Sequence, residues 1–407
     1  LHTRTVKETV VNTTSPTAAS EGDRIAGTRS TILGDPRAGA TGREIAQQPA
    51  MWRRVAADIV TRREEVRAFL GPLLELEGLR IVLTGAGTSA FVGEILAPAL
   101  TRQLRRRVDA VPTTDIVSNP QEVFAEDLPT LLVSFARSGD SPESVAATAL
   151  ADQSLRSVHH LIVTCNPDGA LAKVRATDER SLVLFMPPET NDEGFAMTSS
   201  FTSMVLATWL VLNAGTQDVT MVERVADAGA AVLSERADAV AELASRGYQR
   251  VVYLGSGALT GLARESALKV LELSAGNVVS YFDSSLGFRH GPKSVLDGAS
   301  LAIIYLSTDP YTRQYDEDIA VELGHQLGDE NVIVLGSRPS ERIDSAWTLS
   351  GLEDAPDVLL SLPFVLVAQL FALGTSMSLG LTPDSPSPSG QVNRVVKGVT
   401  VHPYGGR

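Results

Sequence analysis

Short apolar runs that break off in glycine or in a small polar turn punctuate this chain, and they return at a fixed interval. The first, Arg80-Ile-Val-Leu-Thr-Gly85-Ala-Gly87-Thr88-Ser89, is matched 170 positions later by Arg250-Val-Val-Tyr-Leu-Gly255-Ser-Gly257. The same offset pairs Leu131-Leu-Val-Ser-Phe135 with Leu301-Ala-Ile-Ile-Tyr305, and Leu161-Ile-Val-Thr164 with Asn331-Val-Ile-Val334. Runs this short, apolar at nearly every position and ended by turn residues, suit strands buried on both faces. Three of them in register at one spacing predict a duplicated α/β domain.

Helical segments fill the gaps. The first lobe opens with a helix over about Glu44 to Leu76, and its strands are expected from Leu79, at Val108 to Val111, Thr130 to Phe135, His159 to Cys165 and Ser181 to Met186. The second opens with a helix over about Thr220 to Ser245. Its strands are expected at Arg250 to Leu254, Val278 to Tyr281, Ser300 to Leu306, Val332 to Leu335 and Val358 to Leu362. Apolar strands alternating with helices give a mostly parallel sheet covered on both faces. The predicted organisation is a disordered leader over 1–43, one lobe over 44–217, a second over 218–381, and a Pro- and Ser-rich linker with a tail over 382–407. Two apolar stretches, Phe201 to Ala214 and Pro363 to Leu381, invite a membrane reading. The first is too short to span a bilayer and the second carries Gln369, Thr375, Ser376 and Ser378, so buried helices are expected instead.

Composition narrows the function. A net charge of −13 opposes nonspecific nucleic-acid binding, which depends on cations meeting phosphates. The one dense basic stretch, Arg102 to Arg107, reads as a solvated helix face. The single cysteine, Cys165, rules out an intramolecular disulfide framework and a multi-cysteine metal site; a reducing cytoplasm is the expected compartment. Residues 1–43 have no apolar run and resemble neither a secretory signal nor a transit peptide.

Four places carry candidate chemistry. Thr84 to Ser89 is a strand-to-helix turn whose glycines allow close backbone approach. Its following amides face an anion or simply begin a helix. It lacks the third glycine of a dinucleotide fingerprint and the Gly-Lys-Ser/Thr of an ATP loop. Ala136-Arg137-Ser138-Gly-Asp-Ser141-Pro-Glu closes the next long strand. Ser141 followed by Pro142 is a good N-cap, or else the second half of a phosphate site with Arg137 as clamp. Glu265, Lys269 and Glu272 share one helical face, as a solvated ion-pair ladder or as a sheltered base. His290 sits in the glycine-bounded loop Gly287-Phe-Arg-His-Gly291, as a surface residue or a proton shuttle. No residues form a metal cluster, and no Gly-x-Ser-x-Gly elbow supports a hydrolase triad.

The paired turns Gly85-Ala-Gly-Thr-Ser89 and Ala136-Arg-Ser-Gly-Asp-Ser141 resemble those of SIS (sugar isomerase) domains. Glu265 to Glu272, then His290-Gly-Pro, and the tail Asn393-Arg-Val-Val-Lys397-Gly-Val-Thr-Val resemble the isomerase half of glucosamine-6-phosphate synthase. Thr113 to Ser118, Ser134 to Ala146, Glu189 to Thr202 and Leu286 to Ser294 resemble more closely the AgaS branch, galactosamine-6-phosphate deaminase/isomerases of amino-sugar catabolism. The likeness spans about residues 44 to 402.

It implies two doubly wound, flavodoxin-like SIS lobes and a phosphorylated amino sugar as ligand, with no cofactor, metal, nucleic acid or membrane. Ser89, Ser138 and Ser141 would hold the 6-phosphate with Thr88 and Arg137 beside them, Glu272 would move a proton between C2 and C1, and Lys397 would close over the substrate. His290 would open the sugar ring from a neighbouring subunit, which makes a homodimer the expected assembly. Where the synthase has Ser-Gln-Ser-Gly-Glu-Thr, this chain has Ala136-Arg-Ser-Gly-Asp-Ser, losing a hydroxyl and gaining a cation. With no glutamine-hydrolysing domain or N-terminal cysteine nucleophile, degradation with release of ammonia is expected rather than synthesis. The alternatives are an aldose/ketose isomerase that releases no ammonia and a noncatalytic sugar-phosphate sensor, which would not need Glu272 and His290.

Overall fold

The predicted alternation of strand and helix builds two parallel five-stranded sheets. A computed structural model describes residues 31–213, 219–387, 393–396 and 398–405. The first sheet uses β1 (Arg80–Thr84), β2 (Val108–Ala110), β3 (Thr130–Ala136), β4 (Val158–Thr164) and β5 (Ser181–Phe185), in the order β2-β1-β3-β4-β5. The second uses β6 (Arg250–Gly255), β7 (Val279–Asp283), β8 (Ser300–Tyr305), β9 (Val332–Gly336) and β10 (Trp347–Thr348), in the order β7-β6-β8-β9-β10. Every strand pair is parallel, and the two orders are the same when the chain is read from the start of each lobe. In both, β1 or β6 lies beside β3 or β8, so the turns that close each pair open onto the same rim, where ligands of such sheets sit.

The duplication extends to backbone angles. Gly87 has φ 56° and ψ −129°, and Gly257 has φ 59° and ψ −123°. A side chain is strained at both, which explains glycine at this point of each repeat. Helices Thr88–Leu104 and Ala258–Leu273 start from these turns and cross antiparallel. They touch backbone to backbone at Gly261, where a Cβ would stand 2.8 Å from Ile95 N. Arg264 locks the crossing through Glu94 at 2.5 Å and lies over the Phe91 ring. The crossing carries the far end of the second-lobe helix to the start of the first-lobe helix, and one continuous apolar core joins the two lobes.

Three expectations change. Residues 31–43, assigned to the leader, are largely helical, and the helix Gly39–Thr61 buries Ala40, Thr41 and Glu44. The Asp384 carboxylate accepts from Ala40 N, Thr41 N and Thr41 Oγ1, all at 2.8 Å, so the linker is clasped to this helix. Val358 to Leu362 is the first part of helix Asp357–Ser378, and the fifth strand is the two-residue β10. A short apolar run is the same in a strand and in a buried helix, and here it continues into a helix apolar all round. That helix is long and apolar enough to cross a membrane, but its most apolar stretch is wholly buried in the protein. Finally, the expected first helix is divided into Gly39–Thr61 and Arg63–Leu74.

Candidate active site

The two turns of the first lobe converge on a cleft of about 230 Å³. Thr88, Ser89, Arg137, Ser138, Ser141 and Glu272 all line it, so six of the eight predicted site residues meet in one place. Lys397, the seventh, lies outside the described residues. His290 follows the short turn Gly287–Arg289, is exposed, and does not line the cleft. Its loop is pinned to helix Pro310–Leu327 by Arg289 and Lys293, which both pair with Glu322.

At one end of the cleft are hydroxyls and a cation. Ser141 occupies the N-cap of helix Pro142–Ser154 in extended conformation, yet its side chain makes no capping bond. Its hydroxyl is left to the cleft it lines. Arg137 is 6% exposed. Its guanidinium donates weakly to Gly194 O at 3.5 Å and Phe195 O at 3.4 Å, and strongly to Arg394 O at 2.5 Å. These are carbonyls, and Nε has no partner among the described residues. Burial therefore pushes the guanidinium below its ordinary value. A buried cation bonded to carbonyls rather than to a carboxylate favours an anionic ligand.

At the other end stands Glu272, delivered by the helix crossing. Lys269, fully buried, places its ammonium 2.5 Å from Glu272 Oε2, 2.9 Å from Thr88 Oγ1 and 3.4 Å from Glu265 Oε1. The three residues predicted as one helical face are thus an internal cluster rather than a solvated ladder. Burial raises the Glu265 carboxyl to about 8 against the pull of Lys269. The Lys269 ammonium is held above its ordinary value by the carboxylates around it. Thr88 spends an oxygen lone pair on this lysine, which makes it a link between the two ends of the cleft. The arrangement brings hydroxyls, a buried guanidinium and a carboxylate to one cleft.

Several lining residues carried no individual signal in the sequence. Phe195 and Met197 come from the loop between β5 and helix Ser199–Leu212, with Met197 Sδ 3.8 Å from Ser89 Oγ. Asn393, Arg394 and Val396 come from the tail, and Arg394 also donates to Asn191 O at 3.3 Å and to Asp192 O. Asp192 itself is buried and accepts from the backbone N–H of Thr198, Ser199 and Ser200, which fixes the loop on a helix N-terminus.

The equivalent place in the second lobe, a cavity of about 190 Å³, differs in its chemistry. Hydroxyls stand at these turns too, on Ser256, Ser307 and Thr308. They are already engaged by carboxylates. Asp316 accepts from Ser256 Oγ at 2.6 Å, Ser285 Oγ at 2.5 Å and Ser307 N at 3.0 Å. Asp357 accepts from Ser307 Oγ at 2.6 Å and from Thr308 N and Oγ1 at 2.8 and 2.9 Å. Two internal carboxylates thus stand where an anion would sit. Asp316→Ala strands three donors, two of them on the buried Ser285 and Ser307, and should cost on the order of 3 kcal/mol. Thermal melting in sulfate should recover part of that loss relative to chloride at equal ionic strength; identical losses in both salts would refute the equivalence.

An SIS domain model matches residues 74–214. AgaS of Streptomyces coelicolor is 55% identical over 376 residues, covering 91% of this chain and 97% of that protein. The chain belongs to the AgaS family. Another AgaS-family protein, the D-galactosamine-6-phosphate deaminase AgaS of Escherichia coli, is 45% identical over 376 residues, 91% of this chain and 98% of that one. The crystal structure of tagatose-6-phosphate ketose/aldose isomerase from Escherichia coli superposes with a TM-score of 0.85 at 41% identity, covering 93% of this chain and all of that one (100%). The AgaS likeness reaches well beyond the 74–214 match, over the second lobe that supplies Glu272.

Proposed function

We propose that the chain converts galactosamine 6-phosphate into tagatose 6-phosphate and ammonia. The observation that carries this reading is the pairing, across one cleft, of a hydroxyl-rich turn and a buried Arg137 that has no carboxylate bonded to it among the described residues with the Lys269-held carboxylate of Glu272. The D-galactosamine-6-phosphate deaminase activity of its Escherichia coli relatives supports the same reading. Ser89, Ser138, Ser141 and Arg137 hold the phosphate with Thr88 alongside. Ring opening exposes an aldehyde at C1 and acidifies the C2 proton. Glu272 takes that proton and returns it to C1 through an enolamine, leaving a ketimine at C2. Water adds to the ketimine, the C–N bond breaks, and ammonia leaves behind the C2 ketone. The sequence is redox-neutral with the carbonyl as electron sink, so it requires neither a metal nor a redox cofactor.

His290 acts in ring opening on a neighbouring copy of the chain, since its loop is exposed and away from its own cleft. The exposed apolar residues Leu271, Val279 and Leu286 on the same lobe support a homodimer. Lys397 closes over the sugar from the tail, and the enzyme works in the cytoplasm. The deciding experiment gives purified protein galactosamine 6-phosphate, glucosamine 6-phosphate and N-acetylgalactosamine 6-phosphate. Ammonia appearing with tagatose 6-phosphate, fastest from the galacto sugar, is expected. Absence of ammonia from all three would overturn the reading, and ketose formed from an unaminated aldose phosphate would then identify a simple isomerase.

A further inference from the structure

Glu44 lies in the helix Gly39–Thr61, ahead of the first sheet, and is not part of the cleft wall. It is nonetheless 6% exposed and faces inward. Its Oε1 accepts from Glu193 N at 2.5 Å and from Gly194 N at 3.2 Å, and Oε2 accepts from Gly194 N at 3.3 Å. The loop is laid directly on the helix here, since a Cβ on Gly194 would meet Thr41 Oγ1 at 2.7 Å and Glu44 Oε2 at 2.9 Å. The peptide units that give their N–H groups to Glu44 lie next to those whose carbonyls, Gly194 O and Phe195 O, face Arg137. One end of the loop is held by Asp192 on helix Ser199–Leu212 and the other by Glu44, with the Arg137 contacts between them.

We infer that Glu44 is a positioning residue for the anion end of the cleft, acting through the backbone of Glu193 to Phe195 on the guanidinium of Arg137. Arg137 has no carboxylate of its own within bonding reach among the described residues, so its aim depends on those carbonyls. A carboxylate behind the loop is needed because Glu193 N and the buried Gly194 N have no other acceptor among the described residues. The burial that makes those bonds strong also pushes Glu44 up to about 7, with the charge of Asp192 adding to it. Glutamine retains a carbonyl acceptor for both N–H groups, whereas alanine leaves both unmet.

This inference rests on Arg137 binding phosphate, but not on deamination. The test is calorimetric titration with inorganic phosphate, independent of ammonia release. Glu44→Ala should weaken phosphate binding about tenfold, the loss of roughly one charged hydrogen bond, while Glu44→Gln stays within about threefold of the parent. In an Arg137→Ala background, Glu44→Ala should have no further effect on phosphate, because the group it positions is gone. A general loss of folding would lower the melting temperature and the active fraction without this pattern. If Glu44→Ala does not fold, Gly194→Ala, which lifts the same loop, should give the same weakening. Unchanged affinity in a folded Glu44→Ala or Gly194→Ala protein, or an equal loss with and without Arg137, would overturn the inference. A parent protein that binds no phosphate would overturn it together with the assignment of Arg137, whereas phosphate binding without ammonia release would overturn the deaminase reading alone.

Discussion

Glu272→Gln should lower the rate of ammonia release by about 10²- to 10⁴-fold, the range expected when a positioned proton-transfer group is removed. The amide keeps an oxygen for the Lys269 ammonium, now 2.5 Å from the carboxylate, so the cluster and the fold should survive. Phosphate affinity should stay within about threefold, because the groups proposed to receive it are the hydroxyls and Arg137 rather than this carboxylate. The sharpest readout is solvent deuterium. In heavy water the parent enzyme should place deuterium at C1 of tagatose 6-phosphate, since a carboxylate exchanges its proton with solvent between C2 and C1. The variant should place almost none. Near-normal turnover by Glu272→Gln would remove this residue from the mechanism.

The second large effect is on stability. Lys269→Met removes the one ammonium from a site walled by Glu265, Glu272 and the Thr88 hydroxyl, and Lys269 and Glu265 are both fully buried. Breaking a buried ion pair from one side typically costs about 3–5 kcal/mol, because the surviving charge remains out of water. Urea unfolding should show a loss of that size with an unchanged m-value. Adding Glu265→Gln should restore part of it, since the partner left unpaired is then a neutral amide. If Lys269→Met were as stable as the parent, the cluster would have no structural role. Loss of the Lys269 contact also frees Glu272 to turn, so activity should fall further than stability alone dictates.

Much of this architecture is legible along the chain because buried parallel strands leave a strong local trace. β1, β3, β6 and β8 are apolar runs whose ends are marked by glycine or by small polar residues, and their repeat at 170 positions survives even where individual residues differ. The glycine at positions 87 and 257 is a conformational requirement at one point in each copy, so it too is visible without coordinates. β10 leaves almost no trace, since two residues on a sheet edge need no pattern, and the apolar run at Val358 to Leu362 was a better strand by periodicity than the strand itself.

The site divides in the same way. Thr88, Ser89, Arg137, Ser138 and Ser141 stand in two turns whose chemistry is local, so residue types and spacing were enough to single them out. Glu44, Asp192 and Arg394 come from a leading helix, a connecting loop and a tail, up to 350 positions apart, and nothing local distinguishes them from ordinary polar residues. Asp316 and Asp357 are hidden for the same reason: only contact reveals that they fill the second cradle. By itself, then, the sequence determined the sheets, the repeat and the turns that can hold an anion, because these depend on backbone preference and on burial along one segment. Which of the two cradles keeps its hydroxyls clear of internal carboxylates, and what steadies Arg137 and Glu272 around it, was decided only by tertiary structure, because hydrogen bonds and charge pairing depend on distances that the order of residues does not contain.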